Sequence, residues 1–551
     1  MHFSKKGLLT AAALLLTAPL IACTNFLVGK KASADGACYI SYSADSYGMF
    51  GSLEYLPAAR HAPGSLRRIV DRDTHHFQGY IAEAAETYAV MGHINEHQVA
   101  VMETTFGGRE ELVDPHGIID YPSLMTLALQ RARTAREAIG VMTSLVQEYG
   151  YASEGESFSV ADPNEAWILE MIGKGPDEKG AVWVAVRIPD DCIAAHANHS
   201  RIHRFNLKDR QNVLYAKDVI SFARKKGYFS GKDEDFSFSA AYAPEDFSAL
   251  RFCEARVWSF YNRFCSGMDK YLAYARGLEP GRHEPLPLYL KPDRRLSLRD
   301  VREAMRDHYE GTPFDVTRDA GAGVWTAPYR PTPLMWEHEG RKYFNERPIS
   351  TQQSAYCVIA QLRSQLPDAV GGVLWFANDD AHTTPFSPVY CCATTVPEPF
   401  SEDVADDHTF SDRSAFWVCN WVANMTYPRY SQLFPSLKEA RDEVDSLFAT
   451  RQPVVEQEAE ALIRGGHATE ARRLLDTYTT RCAREMLERW KQLAYYLIVK
   501  YNDQAVKVEE DGRYKLTPDS LIVAPQRPGF DPAFRSVIVR ETGDRFLVPA
   551  Q

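Results

Sequence analysis

The chain has 551 residues, 45% of them hydrophobic and 25% charged, with a formal net charge of −11. A chain of that length buries a substantial core without staples, and that charge argues against a nucleic-acid partner held by general electrostatics. No stretch beyond the first 22 residues reaches membrane-spanning length without a charge, so no membrane span is expected in the body of the chain.

Lys5 and Lys6 precede an apolar run over 7–22 that ends at Cys23. A basic start followed by a short apolar run reads as a secretory signal peptide, residues 1–22, and so predicts an exported protein. Cleavage before Cys23 leaves one residue carrying both a thiol and a free α-amine. A thiol is a good nucleophile, and an amine of near-neutral pKa can take its proton. The same residues, Leu20-Ile21-Ala22-Cys23, also read as a lipoprotein processing site. Lipid on the thiol and an acyl group on the amine would consume both reactive groups, leaving a non-enzymatic surface lipoprotein.

Residues 24–30 and 37–44 predict two strands joined by the turn Ser33-Ala34-Asp35-Gly36, and 86–92 and 98–104 predict a second pair. Residues 121–149 predict two helices, with Leu124, Leu127 and Ala128 on one face of the first and Ala135, Ala138, Ile139 and Met142 on one face of the second. Residues 157–196 return to strands. The order of strands, helices, strands suits a sheet-on-sheet core with outer helices better than a doubly wound parallel sheet. Residues 353–376 read as a helix followed by the strand Gly-Gly-Val-Leu-Trp-Phe. Residues 436–500 are strongly helical with a break at Gly465-Gly466, and the last fifty residues are punctuated by proline. The helical stretch reads as a cap on the core, because its apolar positions are no denser than a packed helix needs; a homo-oligomer interface is the other reading.

Several motifs bear on chemistry. His93-Ile94-Asn95-Glu96-His97 matches a zinc-protease spacing, but that motif needs a helix to put both imidazoles on one face, and its flanks here alternate with period two. Zinc is therefore not expected. Asn95 and Asn198 stand at strand ends, where side-chain amides can polarise a carbonyl under attack or simply form turns. Asp45 lies 22 residues after Cys23, and pairing of the first two strands would return it toward Cys23. Arg256 could neutralise a substrate carboxylate. His196, in Ala-Ala-His-Ala-Asn, reads as a hydrogen-bonded structural histidine. The ten cysteines are scattered, without a CxxC pair, so a zinc ribbon is not expected.

The run Cys-Thr-Asn-Phe-Leu-Val-Gly-Lys-Lys-Ala-Ser-Ala-Asp-Gly at 23–36 resembles the start of the dipeptidase A family. That family consists of cysteine N-terminal-nucleophile (Ntn) hydrolases related to penicillin V acylases and bile salt hydrolases. Similar segments follow in order at 92–105, 161–170, 185–191, 195–202, 308–315 and 371–380, so the resemblance runs from 23 to about 450. It implies an α+β fold, a four-layer αββα sandwich of two antiparallel sheets. It implies Cys23 as nucleophile and its α-amine as base, with Asn95 and Asn198 polarising the scissile carbonyl and Asp45 positioning Cys23. Relatives of this kind carry Arg three residues before that Asp; here the position is Tyr42. The expected activity is hydrolysis of dipeptides through a thioester, with no metal or organic cofactor, and the alternative is an acylase of N-acyl amino acids or bile-salt-like conjugates. The expected organisation is a signal peptide at 1–22, a catalytic domain at 23–435, a helical extension at 436–505 and a tail at 506–551.

Overall fold

A computed structural model describes residues 23–72, 74–331 and 333–550. The signal-peptide reading of 1–22 lies outside the described residues. Numbering only the strands of the two large sheets and the helices that pack on them, β1 is Thr24–Val28, β2 Cys38–Asp45, β3 Tyr55–Leu56, β4 Val90–Met91, β5 Ile94–Asn95 and β6 Ala100–Gly107. There follow β7 Gly155–Ala161, β8 Ala166–Gly173, β9 Ala181–Ile188, β10 Ile193–His196, β11 Val213–Tyr215 and β12 Tyr289–Leu290. The last are β13 Ser354–Leu362, β14 Val373–Asn378 and β15 Ser387–Tyr390. Helices α1 Tyr121–Arg131, α2 Ala135–Tyr149, α3 Ala255–Phe264, α4 Ala415–Thr426, α5 Tyr430–Arg464 and α6 Ala468–Lys500 complete the frame.

Among the described residues the strands form two large antiparallel sheets. The first runs β12-β10-β1-β2-β13-β14-β15 and the second β11-β9-β8-β7-β6-β5-β4-β3. They face each other: β1 and β2 meet β6, and β2 also meets β7 and β8. Helices α1 and α2 pack on the second sheet, while α4, α5 and α6 pack on the first at β14 and β15. Each sheet therefore buries both faces, and its central strands carry apolar residues on both. All eight residues of β2, and all seven of β7, are buried.

That double burial explains one departure from expectation. Residues 354–362 were expected to be helical, and they form β13. Ala355, Val358, Ile359 and Leu362 recur at helical spacing, but the strand lies between β2 and β14 with both faces covered, so no alternation marks it. Only Asp368–Gly371 between β13 and β14 is helical. Likewise 86–104 is not a plain hairpin. β4 and β5 make a tight turn of their own, and β6 pairs mainly with β7. The expected helices at 121–149 are α1 and α2. The break at Gly465-Gly466 separates α5 from α6. The proline-punctuated tail contains a helix at Pro532–Thr542.

α5 is tied to the first sheet by a buried two-pronged ion pair. Arg363, just past β13, donates to both Glu456 oxygens at 2.6 and 2.8 Å, and Tyr390 and Gln452 donate to the same carboxylate. All ten cysteines are buried and free. Among the described residues no helix is long and apolar enough to cross a membrane.

Candidate active site

Cys23 stands immediately before β1, which lies between β10 and β2 with Thr24 opposite Ser43 and Asn25 opposite His196. Strand alternation sends successive side chains to opposite faces. Thr24 and Phe26 turn toward α3, where Phe26 stacks on Phe260 with ring centroids 4.1 Å apart. Cys23 and Asn25 turn toward the second sheet. The Cys23 Sγ lies 3.7 Å from the Tyr42 hydroxyl and 3.7 Å from Glu103 Oε1, and Tyr42 donates to that same oxygen at 2.7 Å. Burial first, then the charges of Glu103 and Asp45, push the thiol well above its ordinary pKa; the Asp45 main chain and the Tyr42 hydroxyl work against them. The thiol is thus held protonated and needs a base to become a nucleophile.

Asp45 ends β2 and, as the β1–β2 pairing requires, comes back to Cys23. Its carboxylate accepts from Ser43 Oγ at 2.9 Å and Ser354 Oγ at 2.6 Å and pairs with Arg347. Ser43 in turn accepts from the Thr24 amide at 3.2 Å. Asp45 therefore fixes the ends of three strands, β1, β2 and β13, beside the thiol.

Arg256 enters from α3, directly after a π-helical turn at Ala249–Glu254, the kind of irregularity that commonly re-aims functional side chains. All five of its N–H groups are engaged. Nε donates to Phe252 O, Nη1 to Cys23 O at 2.5 Å and Thr24 Oγ1 at 2.7 Å, and Nη2 to Ala197 O at 3.1 Å and Asn198 Oδ1 at 3.0 Å. A guanidinium has five donors, so Arg256, expected to neutralise a substrate carboxylate, has all of them engaged within the protein and clamps the Cys23 carbonyl. Asn198 has φ 59°, a left-handed conformation that asparagine tolerates better than most residues. It donates to Thr105 O at 2.8 Å, so it bridges α3 and β6 beside Cys23.

Asn95, expected to polarise the carbonyl under attack, has its amide engaged with other partners. Its Nδ2 donates to Leu129 O at 2.7 Å and Ala132 O at 2.8 Å, at the end of α1, and its Oδ1 accepts from the His97 and Val99 amides. It pins the β5 turn to the helix on the far side of the second sheet. The surrounding His-x-x-Glu-His run occupies this turn, and its imidazoles face different partners. His93 meets Tyr356 OH at 3.0 Å and the edge of the Tyr42 ring, while His97 packs on Tyr88. His196 is buried between Thr104 Oγ1 at 2.7 Å and Ser159 Oγ at 2.8 Å, and burial holds its pKa down at about 3.

Sequence reasoning missed Glu103, Arg347 and Ser354. For Glu103 a signal existed: it closes the apolar run Ala100-Val101-Met102, and a glutamate that is fully buried is rare unless it is paired. Arg347 and Ser354 are separated from Asp45 by about three hundred residues, and no local pattern joins them.

The model of Peptidase family C69 matches residues 22–62 and 56–443 of the chain. Among similar proteins, a probable dipeptidase of Salmonella dublin is 27% identical over 406 residues, covering 70% of this chain and 84% of the relative. Dipeptidase A of Lactobacillus helveticus is 26% identical over 440 residues, covering 76% and 84%. A dipeptidase of Bifidobacterium longum (strain NCC 2705) is 23% identical over 437 residues, covering 73% and 76%.

Proposed function

We propose that this chain, which belongs to peptidase family C69, is a dipeptidase whose nucleophile is the thiol of Cys23, freed by removal of residues 1–22 during export. The observation that carries this reading is the position of Cys23. It opens a central strand, its carbonyl is clamped by Arg256, and its thiol is kept protonated beside Tyr42 and Glu103. Such a thiol needs a base, and an α-amine on the same residue, with an ordinary pKa of about 7.7–8.0, supplies one. Two facing antiparallel sheets with helices packed against each support the four-layer αββα reading of the fold.

In the mechanism, the α-amine takes the thiol proton and sulfur attacks the peptide carbonyl. Asn198 and main-chain amides receive the developing oxyanion. The ammonium returns its proton to the leaving amino acid as the C–N bond breaks, which leaves a thioester. Water, deprotonated by the same amine, then hydrolyses the thioester and restores the thiol. Arg256 and Asp45 act by holding Cys23 still. The Tyr42 hydroxyl, in place of a cation, is the side chain that eases thiol ionisation.

The test is Cys23→Ala in protein that begins at residue 23. Dipeptide turnover should vanish while the circular dichroism spectrum stays unchanged; retained turnover refutes the mechanism. The mass of the N-terminal peptide from the native host is the companion measurement. An unmodified Cys23 leaves both reactive groups available, and a lipid or acyl adduct removes them.

A further inference from the structure

A cavity of about 190 Å³ lies at one end of the first sheet, between the 46–49 stretch after β2, the 352–354 stretch that opens β13, and α4. A water occupies about 30 Å³ of liquid and sites for drug-sized ligands span about 300–1,000 Å³, so an occupant here is small. Asp379, the residue after β14, lines this cavity and is 1% exposed. Its Oδ1 accepts from Asn420 Nδ2 of α4 at 3.2 Å, while its Oδ2 is buried without a hydrogen-bond partner. Orphaned buried oxygens are rare and costly.

The rest of the lining says what the orphan is suited to meet. Asp407 is a second carboxyl of the wall, partly exposed, with the exposed His408 at 3.6 Å. Among the described residues no lysine, arginine or histidine lines the cavity. Its aromatic side is built by Trp417 and Phe416, which meet edge to face with centroids 5.1 Å apart, and Trp417 Nε1 is fixed on Asp406 O at 2.8 Å. Carboxyls beside ring faces, with no positive charge of the wall's own, suit a cation carried on carbon. The stem lies against the rings and the charge meets the carboxyl. Among the described residues no group of three or more His, Cys, Asp or Glu is placed to hold a metal ion.

The resting charge of Asp379 fits the same picture. Burial, then the charge of Asp380, pushes its carboxyl well above the ordinary range, and the Asn420 amide and the Asp380 main chain offset this only in part. The other titratable groups that feel it, Cys357, Cys419 and Tyr427, are themselves pushed up by burial and supply no positive charge. The carboxyl therefore rests protonated, and an arriving cation supplies the charge that lets it ionise.

We propose that this cavity is a binding site for a small organic cation, a primary ammonium on a short carbon chain, with Asp379 as counter-ion and Trp417 as aromatic wall. The proposal stands independently of the dipeptidase reading. The cavity does adjoin the proposed active site, because Ser354 and Gln353 both line it and both hold Asp45. Ser354 Oγ donates to Asp45 Oδ1 at 2.6 Å and Gln353 Nε2 to Asp45 O at 3.1 Å. Two sources carry such an ammonium: a free amine, and the side chain of a basic residue in a bound peptide.

The experiment is calorimetric titration of n-butylammonium, with 1-butanol as its neutral counterpart, into protein beginning at residue 23 at constant ionic strength. The wild type should bind butylammonium saturably and at least about 10-fold more tightly than butanol, and Asp379→Asn should lose about 10-fold or more of that affinity. Binding should release a proton, read as a heat that varies with the ionisation enthalpy of the buffer. Affinity should rise with pH and level off once Asp379 is ionised without the ligand. Absence of binding, equal affinity for butylammonium and butanol, or undiminished binding by Asp379→Asn overturns the proposal. The first two comparisons use the wild type alone, so they decide the matter even if Asp379→Asn does not fold. Kinetics then separate the sources. For a substrate side chain, Asp379→Asn raises KM for Lys-Ala but not for Ala-Ala, and butylammonium competes with Lys-Ala. For a free amine, both KM values stay put and butylammonium competes with neither.

Discussion

Replacing Arg256 with lysine tests how Cys23, the proposed nucleophile, is held. The charge and much of the volume survive, but the five-point fork becomes an ammonium with three donors. At least two of the five acceptors now met by Arg256 lose their partner. Four of the five are buried and Asn198 is half-buried, and each buried acceptor left unsatisfied costs about 1–3 kcal/mol. Arg256→Lys should therefore destabilise the protein by roughly 2–4 kcal/mol, taking the lower part of that range for two lost bonds. Catalysis should fall more than stability suggests, since Cys23 O and Asn198 Oδ1 are among the acceptors and the proposed mechanism puts both residues at the reacting centre. The assay is urea unfolding followed by tryptophan fluorescence, alongside dipeptide turnover under conditions where the variant is folded. A variant with a wild-type urea midpoint and wild-type turnover would refute the clamp.

Two further outcomes follow from the same geometry. Tyr42→Phe removes the hydroxyl that sits beside Sγ and lowers the thiol pKa, so alkylation of Cys23 at pH 8 should slow by roughly 3–10-fold, with the pH–rate profile displaced upward; an unmoved profile excludes Tyr42 from thiol activation. Away from the site, buried His308 meets Glu310 at 3.3 Å. Burial alone would lower the imidazole pKa, but Glu310, then Asp380 and Asp307, outweigh it and raise it above the ordinary 6.5, while hydrogen bonding and charge from His308 hold Glu310 at about 2 despite burial. A raised histidine stabilises fully below its unfolded value and ceases to as pH climbs through the folded one; a depressed carboxylate stabilises above its unfolded value, 4.5, and ceases to as pH falls toward 2. The Tm advantage of wild type over Glu310→Gln should therefore be greatest between pH 4.5 and 6.5 and shrink on the alkaline side. A difference that is flat with pH would contradict the pairing.

What could be read in advance follows from range along the chain. The β1–β2 pair and the return of Asp45 to Cys23 are local, a short turn apart, and alternation plus turn residues reveal them. The α1–α2 pair and the break at Gly465-Gly466 are visible for the same reason. The strand at 354–362 was hidden because a central strand buried on both faces loses its alternation. Asn95 shows the limit of residue-type arguments. A strand-end amide suits either an oxyanion or a turn, and only the fold reveals that this one donates to the carbonyls at the end of α1. The partners of Arg256 were not legible, since its five acceptors come from three separate stretches of chain and none is its sequence neighbour beyond Phe252. Glu103 needed the opposing sheet in view before its nearness to sulfur meant anything.

The seating of β1 has a consequence for the life of the protein. Chain ends usually fray and are whittled by exopeptidases. The end proposed here starts inside a seven-stranded sheet, zipped to a neighbour on either side from its first residues and pinned at its first carbonyl by Arg256. An exopeptidase needs slack chain to draw into its own cleft, and this end offers none. Maturation before Cys23 would then be a ratchet with a single tooth. In the proposed mechanism one cut arms the molecule, and the residue on which activity would depend is the one no later trimming can reach without first unravelling the sheet.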